Sequence, residues 1–182
     1  MNLTNQFLLA MPGLHGDYFA DSLTYICEHS EDGAMGLIIN RPSGVSLVEL
    51  LAELGLSANR NLVSVPVVEG GPVALDTGFV LHGSDRRYES TMAVTEEVYL
   101  STAFQVLEEI SQNSGPADFL VTLGYSGWAA GQLEDEMQQN VWLNAPASQS
   151  VLFELPHEQR LFAAAEALGI DFRLIAARPG HA

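Results

Sequence analysis

Three blocks of this chain set glycine hard against apolar, strand-like runs, and that juxtaposition limits the possible folds more than any other feature. Residues 25–42 carry Gly33, Gly36, Asn40, Arg41 and Pro42. A second block is Gly70-Gly71-Pro72-Val73, and a third, residues 124–134, carries Gly127, Trp128, Gly131, Gln132 and Glu134. Glycine has no side chain to pack and weakens a strand, so its presence there points to turns and close backbone approaches. None of the three blocks spells a recognised catalytic signature.

The rest of the composition narrows the classes of function. With 182 residues, 47% of them hydrophobic, the chain can bury one substantial core, and residues 1–182 are read as a single domain. Its formal net charge is -16, and all 7 basic residues are arginines. Tracking a phosphate backbone needs several Lys or Arg contacts that release counterions, so direct nucleic-acid binding is not expected. An anionic membrane surface would repel the chain for the same reason. The absence of lysine removes both the P-loop cation and Schiff-base chemistry. Cys27 is the sole cysteine, which excludes an intramolecular disulfide and Cys-rich zinc modules and fits a reducing compartment. The apolar run at residues 7–11 has no preceding cation, so it reads as a first strand, not as a signal peptide. No run reaches the roughly 18 apolar residues of a spanning helix, and a cytoplasmic location is expected.

The pattern along the chain is mixed α and β. Strands are expected over residues 7–11, 23–29, where alternation predicts a half-buried strand, and 34–40, a continuous apolar run. Further strands are expected over 63–68, 78–82, 90–100 with an interruption at 95–97, 119–123 ending at Gly124, and 141–143. Ser46 and Glu49 form a capping box for a helix over 47–54 closed by Gly55. Other helices are expected over 102–112, around Leu133 and Met137, and from Pro156 to Gly169.

On these blocks, together with Met11-Pro12, Glu28-His29, the residues 78–82, Gly124-Tyr125, Trp142-Leu143 and the closing Gly180-His181-Ala182, the chain resembles the AlgH/YqgE family of bacterial proteins. The resemblance runs from about residue 7 to the end. It implies an α+β fold: one compact domain whose antiparallel-rich sheet folds partly over on itself, with helices packed outside. It implies little chemistry, because the family is described as transcriptional regulators with no established reaction. Family members usually carry Asp-Pro where this chain has Gly16-Asp17, which leaves a carboxylate at residue 16 without support, although Asp17 can serve from one position later.

Each candidate residue has a structural and a functional reading. Cys27 and His29 are placed by alternation on one strand face, where imidazole can activate a thiolate, although a buried small residue beside a satisfied histidine explains them as well. Ser126 in Gly-Tyr-Ser-Gly-Trp lacks the second glycine of a nucleophile elbow. The histidines, His15, His29, His82, His157 and His181, are scattered, so no metal site and no cofactor is assigned. His29 and His82 converge only if their strands pair. Asn40 and Arg41 sit at a strand end, where a guanidinium can grip a carboxylate or phosphate; the alternative is an internal ion pair, with Glu134 as a partner. Trp128, Gln132 and Glu134 form either a ligand-pocket wall or a structural helix start, and Glu134, Asp135 and Glu136 read as a solvated face. The candidate ligand-binding set is Asn40, Arg41, His29, His82, Trp128, Gln132 and Glu134, supported by the structural residues Gly33, Gly36, Pro42, Gly70, Gly71, Pro72, Gly127 and Gly131. The favoured function is a non-enzymatic regulatory or accessory protein that works through protein partners or a small ligand. The alternative is a hydrolase or transferase with a pocket built from Asn40, Arg41, His29 and His82.

Overall fold

A computed structural model describes residues 1–14, 17–102 and 104–176. The first half of the chain forms β1 (Gln6–Ala10), β2 (Leu23–Ser30), β3 (Gly33–Ile38), β4 (Pro42–Ser46), α1 (Leu47–Glu53), β5 (Pro66–Glu69) and β6 (Val73–Gly83). The second half forms β7 (Met92–Ala93), β8 (Val98–Ser101), α2 (Phe104–Ser111), β9 (Phe119–Ala129), α3 (Gln132–Gln138), β10 (Trp142–Pro146), α4 (His157–Glu166) and α5 (Phe172–Ala176). A π-helical turn, Ser150–Glu154, leads into α4. His15, Gly16 and the closing Gly180-His181-Ala182 lie outside the described residues.

One hydrogen-bonded path, β10-β1-β2-β3-β9-β6-β8-β7, joins the strands, and β9 is its hub. Along one edge of β9, β3 pairs antiparallel with Ser126 to Ala129, while β5 pairs parallel with Thr122 and Leu123. Strand β6 takes the other edge, from Phe119 to Tyr125. The chain therefore passes from one edge of β9 to the other within Gly70, Gly71 and Pro72. That step is possible because the backbones touch: a Cβ on Gly71 would lie 2.1 Å from the Tyr125 carbonyl carbon, and one on Gly124 would lie 2.6 Å from Gly71 O. Gly124, at φ +75°, also kinks β9 beneath the crossing. Hydrogen bonds fasten the junction: Gly70 N–H donates to Leu123 O, and Gly70 O accepts from Ile38 N–H and from the Ser126 hydroxyl.

The sheet curls because its inner face wraps one large core. That cluster draws Phe7, Leu9 and Tyr25 from one end of the path and Phe79, Leu81 and Leu100 from the other, under Leu161, Ala165 and Phe172 of the helical C-terminal segment. Its two ends meet where Gln149 Nε2 donates to Glu97 Oε2 at 2.7 Å. On the outer face the core divides in two. Helices α1 and α2 cover Val67, Val80 and Val121, and α3 covers Leu8, Ile26 and Trp128. This is the expected α+β arrangement of a folded-over, antiparallel-rich sheet, with α1, α2 and α3 packed outside it and α4 and α5 closing the inner core.

Local signals hold where they are chemical. Ser46 Oγ accepts from Glu49 N–H and the Glu49 carboxylate accepts from Ser46 N–H, so the capping box forms. Other elements differ from expectation. The strand anticipated at 63–68 begins only at Pro66, since Arg60–Leu62 makes a 3-10 turn capped by Asn59. Strand β9 runs through Gly124 to Ala129 instead of ending there: Gly124 itself has no partner and β6 is irregular opposite it, between Val73 and Gly78, but pairing resumes at Tyr125. Between β7 and β8, Thr95 Oγ1 accepts from the amides of Glu97 and Val98 and folds 95–97 into a turn. Pro156 is the N-cap of α4 and not its first helical residue. Strand β2 is buried along Leu23 to Cys27 on both faces, so the half-buried pattern fails there.

Replacing Gly71 with alanine is expected to lower stability by about 3 kcal/mol or more, since backbone and not side chain must yield. Gly55→Ala is the control: its φ is also positive, at +76°, but no atom lies within 4 Å, so only about 1–2 kcal/mol should be lost. Urea unfolding of the two variants checks this, and equal losses would contradict the crossing.

Candidate functional site

A bulge in β2 decides where the first candidate histidine points. Ile26 pairs with Gly36 and Glu28 with Met35, so Cys27 is an extra residue on its strand. One inserted residue reverses the faces of everything beyond it. Cys27 therefore stays in the large inner core, and its burial pushes the thiol well above its ordinary value. His29, opposite Ala34, turns to the outer face beneath α3. Cys27 and His29 do not share a face, and the thiolate–imidazole pair suggested by alternation does not form.

Both nitrogens of His29 are engaged. Nδ1 accepts from Leu3 N–H at 2.9 Å, which places the ring proton on Nε2, 2.8 Å from Glu134 Oε1. The contact is thus a hydrogen bond from a neutral ring to a carboxylate, although its distance also satisfies an ion-pair criterion. Glu134 stands in the first turn of α3, where its own backbone N–H, and then His29, hold its carboxyl below the ordinary value. A carboxyl depressed on folding stabilises above its unfolded pKa, and that contribution is lost as pH falls through the folded value.

Beside this pair lies an aromatic cluster gathered on one carboxylate. Trp128 Nε1 and Trp142 Nε1 both donate to Glu136 Oε2, at 2.9 and 2.7 Å, and Gln132 Nε2 donates to Glu136 Oε1 at 3.0 Å. Phe19 stacks on Trp128 and meets Trp142 edge-on. Gln132 Oε1 accepts from Ala129 N–H, which fixes the turn where Gly131 starts α3. Gly33 lies directly under Trp128 O, Gly36 under Tyr25 O, and Gly127 beside the Tyr125 ring. Glu136 is thus not part of a solvated face. Its signal in the sequence is its position between the chain's only two tryptophans, four residues after Gln132.

The strand-end pair at 40–41 is also engaged internally. Asn40 Oδ1 accepts from Leu23 N–H and its Nδ2 donates to Asp21 O, tying β3 to the turn before β2. Arg41 donates to Ala20 O, and its guanidinium lies 4.8 Å from the Tyr18 ring centroid. The Tyr18 hydroxyl donates to Glu69, and burial, with that carboxylate beside it, pushes the phenol up to about 12. The ion pair anticipated between Arg41 and Glu134 does not form; stacking on Tyr18 takes its place. Pro42 opens β4 and pairs with Val68.

His82 stands at the far end of β9, opposite Phe119, whereas His29 is level with Trp128 through Ala34. Nine residues of β9 separate these positions, about 30 Å of strand path. His82 is fully buried and donates from Nδ1 to Gly83 O. Its Nε2 accepts from Ser101 Oγ at 2.8 Å, Ser101 accepts from Thr91, and Thr91 accepts from Tyr88 N–H. From Thr91 through Ser101 to His82 every hydroxyl hydrogen has an acceptor, so this relay is directional and complete. Burial lowers the His82 pKa. The Ser101–His82 contact has the spacing of a nucleophile and its base, but both residues are sealed from solvent and no carboxylate orients the ring. Ser101 and Thr91 carry no motif; only strand register brings them to His82. Ser126, also buried, is used by the Gly70 junction.

The four residues of the proposed enzyme pocket, Asn40, Arg41, His29 and His82, therefore do not line one concavity. Only His29, Trp128, Gln132 and Glu134 come together, around the first turns of α3. Among the described residues, no group of three His, Cys, Asp or Glu side chains is placed to hold a metal ion.

Two outcomes follow from these networks. Glu136→Leu leaves two indole N–H groups without their shared acceptor and should cost about 2–4 kcal/mol. Because the chain has only 2 tryptophans, intrinsic fluorescence reads this cluster alone, and a red-shifted emission is expected. His82 is neutral when folded, while the unfolded ring takes a proton below about pH 6.5. The stabilisation it gives is present above that pH and lost on acidification, so the stability gap between wild type and His82→Ala should narrow from pH 7 to pH 5. Denaturant melts at both pH values measure it; a constant gap would contradict the buried neutral ring.

The AlgH-like family profile matches residues 7–173. UPF0301 proteins from Nitrosospira multiformis and Thioalkalivibrio sulfidiphilus are each 48% identical to this chain, covering 100% of it and 98% and 97% of their own lengths. The solution structure of the AlgH protein from Pseudomonas aeruginosa is similar with a TM-score of 0.82 and 46% identity, over 100% of this chain and 97% of that one. A crystal structure of a protein from Corynebacterium diphtheriae, 20% identical, is similar with a TM-score of 0.76 over 97% of this chain and 92% of that one, which shows a shared fold. Matched end to end at nearly half identity and by the family profile over most of its length, this chain belongs to the AlgH-like family.

Proposed function

We propose that this protein is a non-enzymatic regulatory or accessory protein that acts in the cytoplasm by binding a protein partner or a small ligand, with any effect on transcription indirect. The observation that carries this reading is the engagement of both candidate histidines: each ring nitrogen of His29 and His82 is already bonded within the fold. A general base must reach the proton it removes, and these two rings are committed to holding strands together. Charge supports the second half of the reading. A net charge of -16 without lysine opposes a duplex, and Arg86-Arg87 is too small a patch to anchor one. Among the described residues no helix is long and apolar enough to cross a membrane.

Gel-shift titration of the purified protein against genomic DNA fragments tests the indirect role. No retention is expected at about 0.15 M salt, and sub-micromolar, sequence-selective binding by the protein alone would overturn it. Native mass spectrometry of protein taken from its own cells tests the binding role: a stoichiometric bound molecule or partner is expected, and a bare monomer that turns over an ester or phosphoester substrate would favour the enzyme reading.

A further inference from the structure

Arg160 is the only residue with a permanently charged side chain buried among the described residues, at 7% exposure. Its Nε donates to Leu155 O at 3.0 Å and its Nη1 to Ile39 O. Those carbonyls satisfy two nitrogens but supply no opposite charge. Among the described residues no carboxylate lies within 4.0 Å of the guanidinium, and Nη2 has no acceptor. Glu158, whose charge acts on Arg160 from the exposed side, makes no contact with it, and a buried cation without a paired carboxylate is costly. Desolvation lowers the guanidinium pKa to about 10, so the side chain still carries its charge at neutral pH.

This guanidinium lines a cleft of about 610 Å³, within the range of small-ligand sites. The same cleft receives the start of α4. Its N-cap is Pro156, which has no side chain to accept a hydrogen bond, and the amides of His157 and Glu158 find no acceptor among the described residues. Two free N–H groups at the positive end of a ten-residue helix thus stand beside a guanidinium that feels the Glu158 carboxylate but makes no ion pair with it. Phe119, Phe153 and Leu155 give the cleft an apolar wall, and Asp118, Glu154 and Glu158 are exposed at its rim. Positive charge inside and negative charge outside select against a simple anion, which the rim would repel. They favour a molecule that carries both signs, with its anionic end inward.

We propose that this cleft binds a carboxylate-ended molecule with an apolar body and a cationic group, its carboxylate seated on Arg160 Nη2 and the α4 amides and its cation facing the acidic rim. The inference rests on the binding reading of function and names the chemistry of one site. Two sources share that chemistry: a free amino acid zwitterion, and a protein C-terminus with a basic residue two positions before its last. Arginine suits the task because a planar guanidinium holds a carboxylate through directed bonds that lysine cannot match.

The test is a backbone amide NMR titration of the full chain with three probes: free L-leucine, the peptide acetyl-Ala-Arg-Ala-Leu, and that peptide as its C-terminal amide. Saturable shifts of the His157 and Glu158 amides are expected with a free carboxylate, and binding at least about tenfold weaker for the amide. Comparable affinity for leucine and peptide assigns the site to a free zwitterion; a stronger peptide assigns it to a chain terminus. Arg160→Gln should weaken the preferred probe by about tenfold or more. Ser64→Trp, an exposed position on the cleft lining that leaves Arg160 untouched, should do the same and decides the matter if Arg160→Gln does not fold. Equal affinity for the amidated peptide, no saturable shift up to roughly 10 mM probe, or unchanged binding by Ser64→Trp would overturn the site. A stoichiometric ligand found in cells but mapping elsewhere would overturn the site while leaving the binding function intact.

Discussion

The fold depends on two backbones that pass in contact. Gly70 and Gly71 carry the chain across β9 at Gly124, and any side chain at Gly71 would collide with the Tyr125 carbonyl. Because the crossing is that tight, β3 and β5 can share one edge of β9 while β6 takes the other. A sheet that would otherwise split into two is thereby one curled surface around a single inner core. The glycines are not loosely placed flexibility; they are the space in which one strand lies against another.

With the sheet joined in this way, its polar side chains become fasteners at places where strands end or bend. Asn40 ties the end of β3 to the entry of β2, Ser126 holds the crossing, and His82 with Ser101 and Thr91 links β6, β8 and the segment before β7. Glu136 gathers two tryptophans and a glutamine under α3. Buried polar groups of this kind must be satisfied or they destabilise, and satisfaction leaves them little freedom for chemistry. Three buried hydroxyls, on Ser22, Thr24 and Thr122, stay without partners, but Arg160 departs furthest from the pattern, because its hydrogen bonds are partly met and its charge has no ion pair. That imbalance is why the cleft at α4, and not the histidines, is the place to look for a ligand.

Much of this was legible in the sequence, and the misses have definite causes. The three glycine blocks all fall at close approaches or turns, and the capping box at Ser46 forms as written, since both signals are local and steric. The family resemblance carried the folded-over sheet, which no window of residues could reveal. The pairing of Cys27 with His29 failed on one bulge, because strict alternation has no means of counting an inserted residue. His82 and His29 were separated by register along β9, a property of pairing and not of either segment alone. Glu136 was hidden by its acidic neighbours, and Arg160 by sitting within a helix whose other face is exposed, so neither stood out as a site residue.

Whether the histidines are fixed structural groups can be read from a long-range proton–nitrogen spectrum of their side chains at neutral pH. His29 should show a single tautomer protonated at Nε2, and His82 a single tautomer protonated at Nδ1, as their partners require. Averaged tautomers or a freely exchanging ring at either position would mean that the imidazole is available to react and is not a structural fastener.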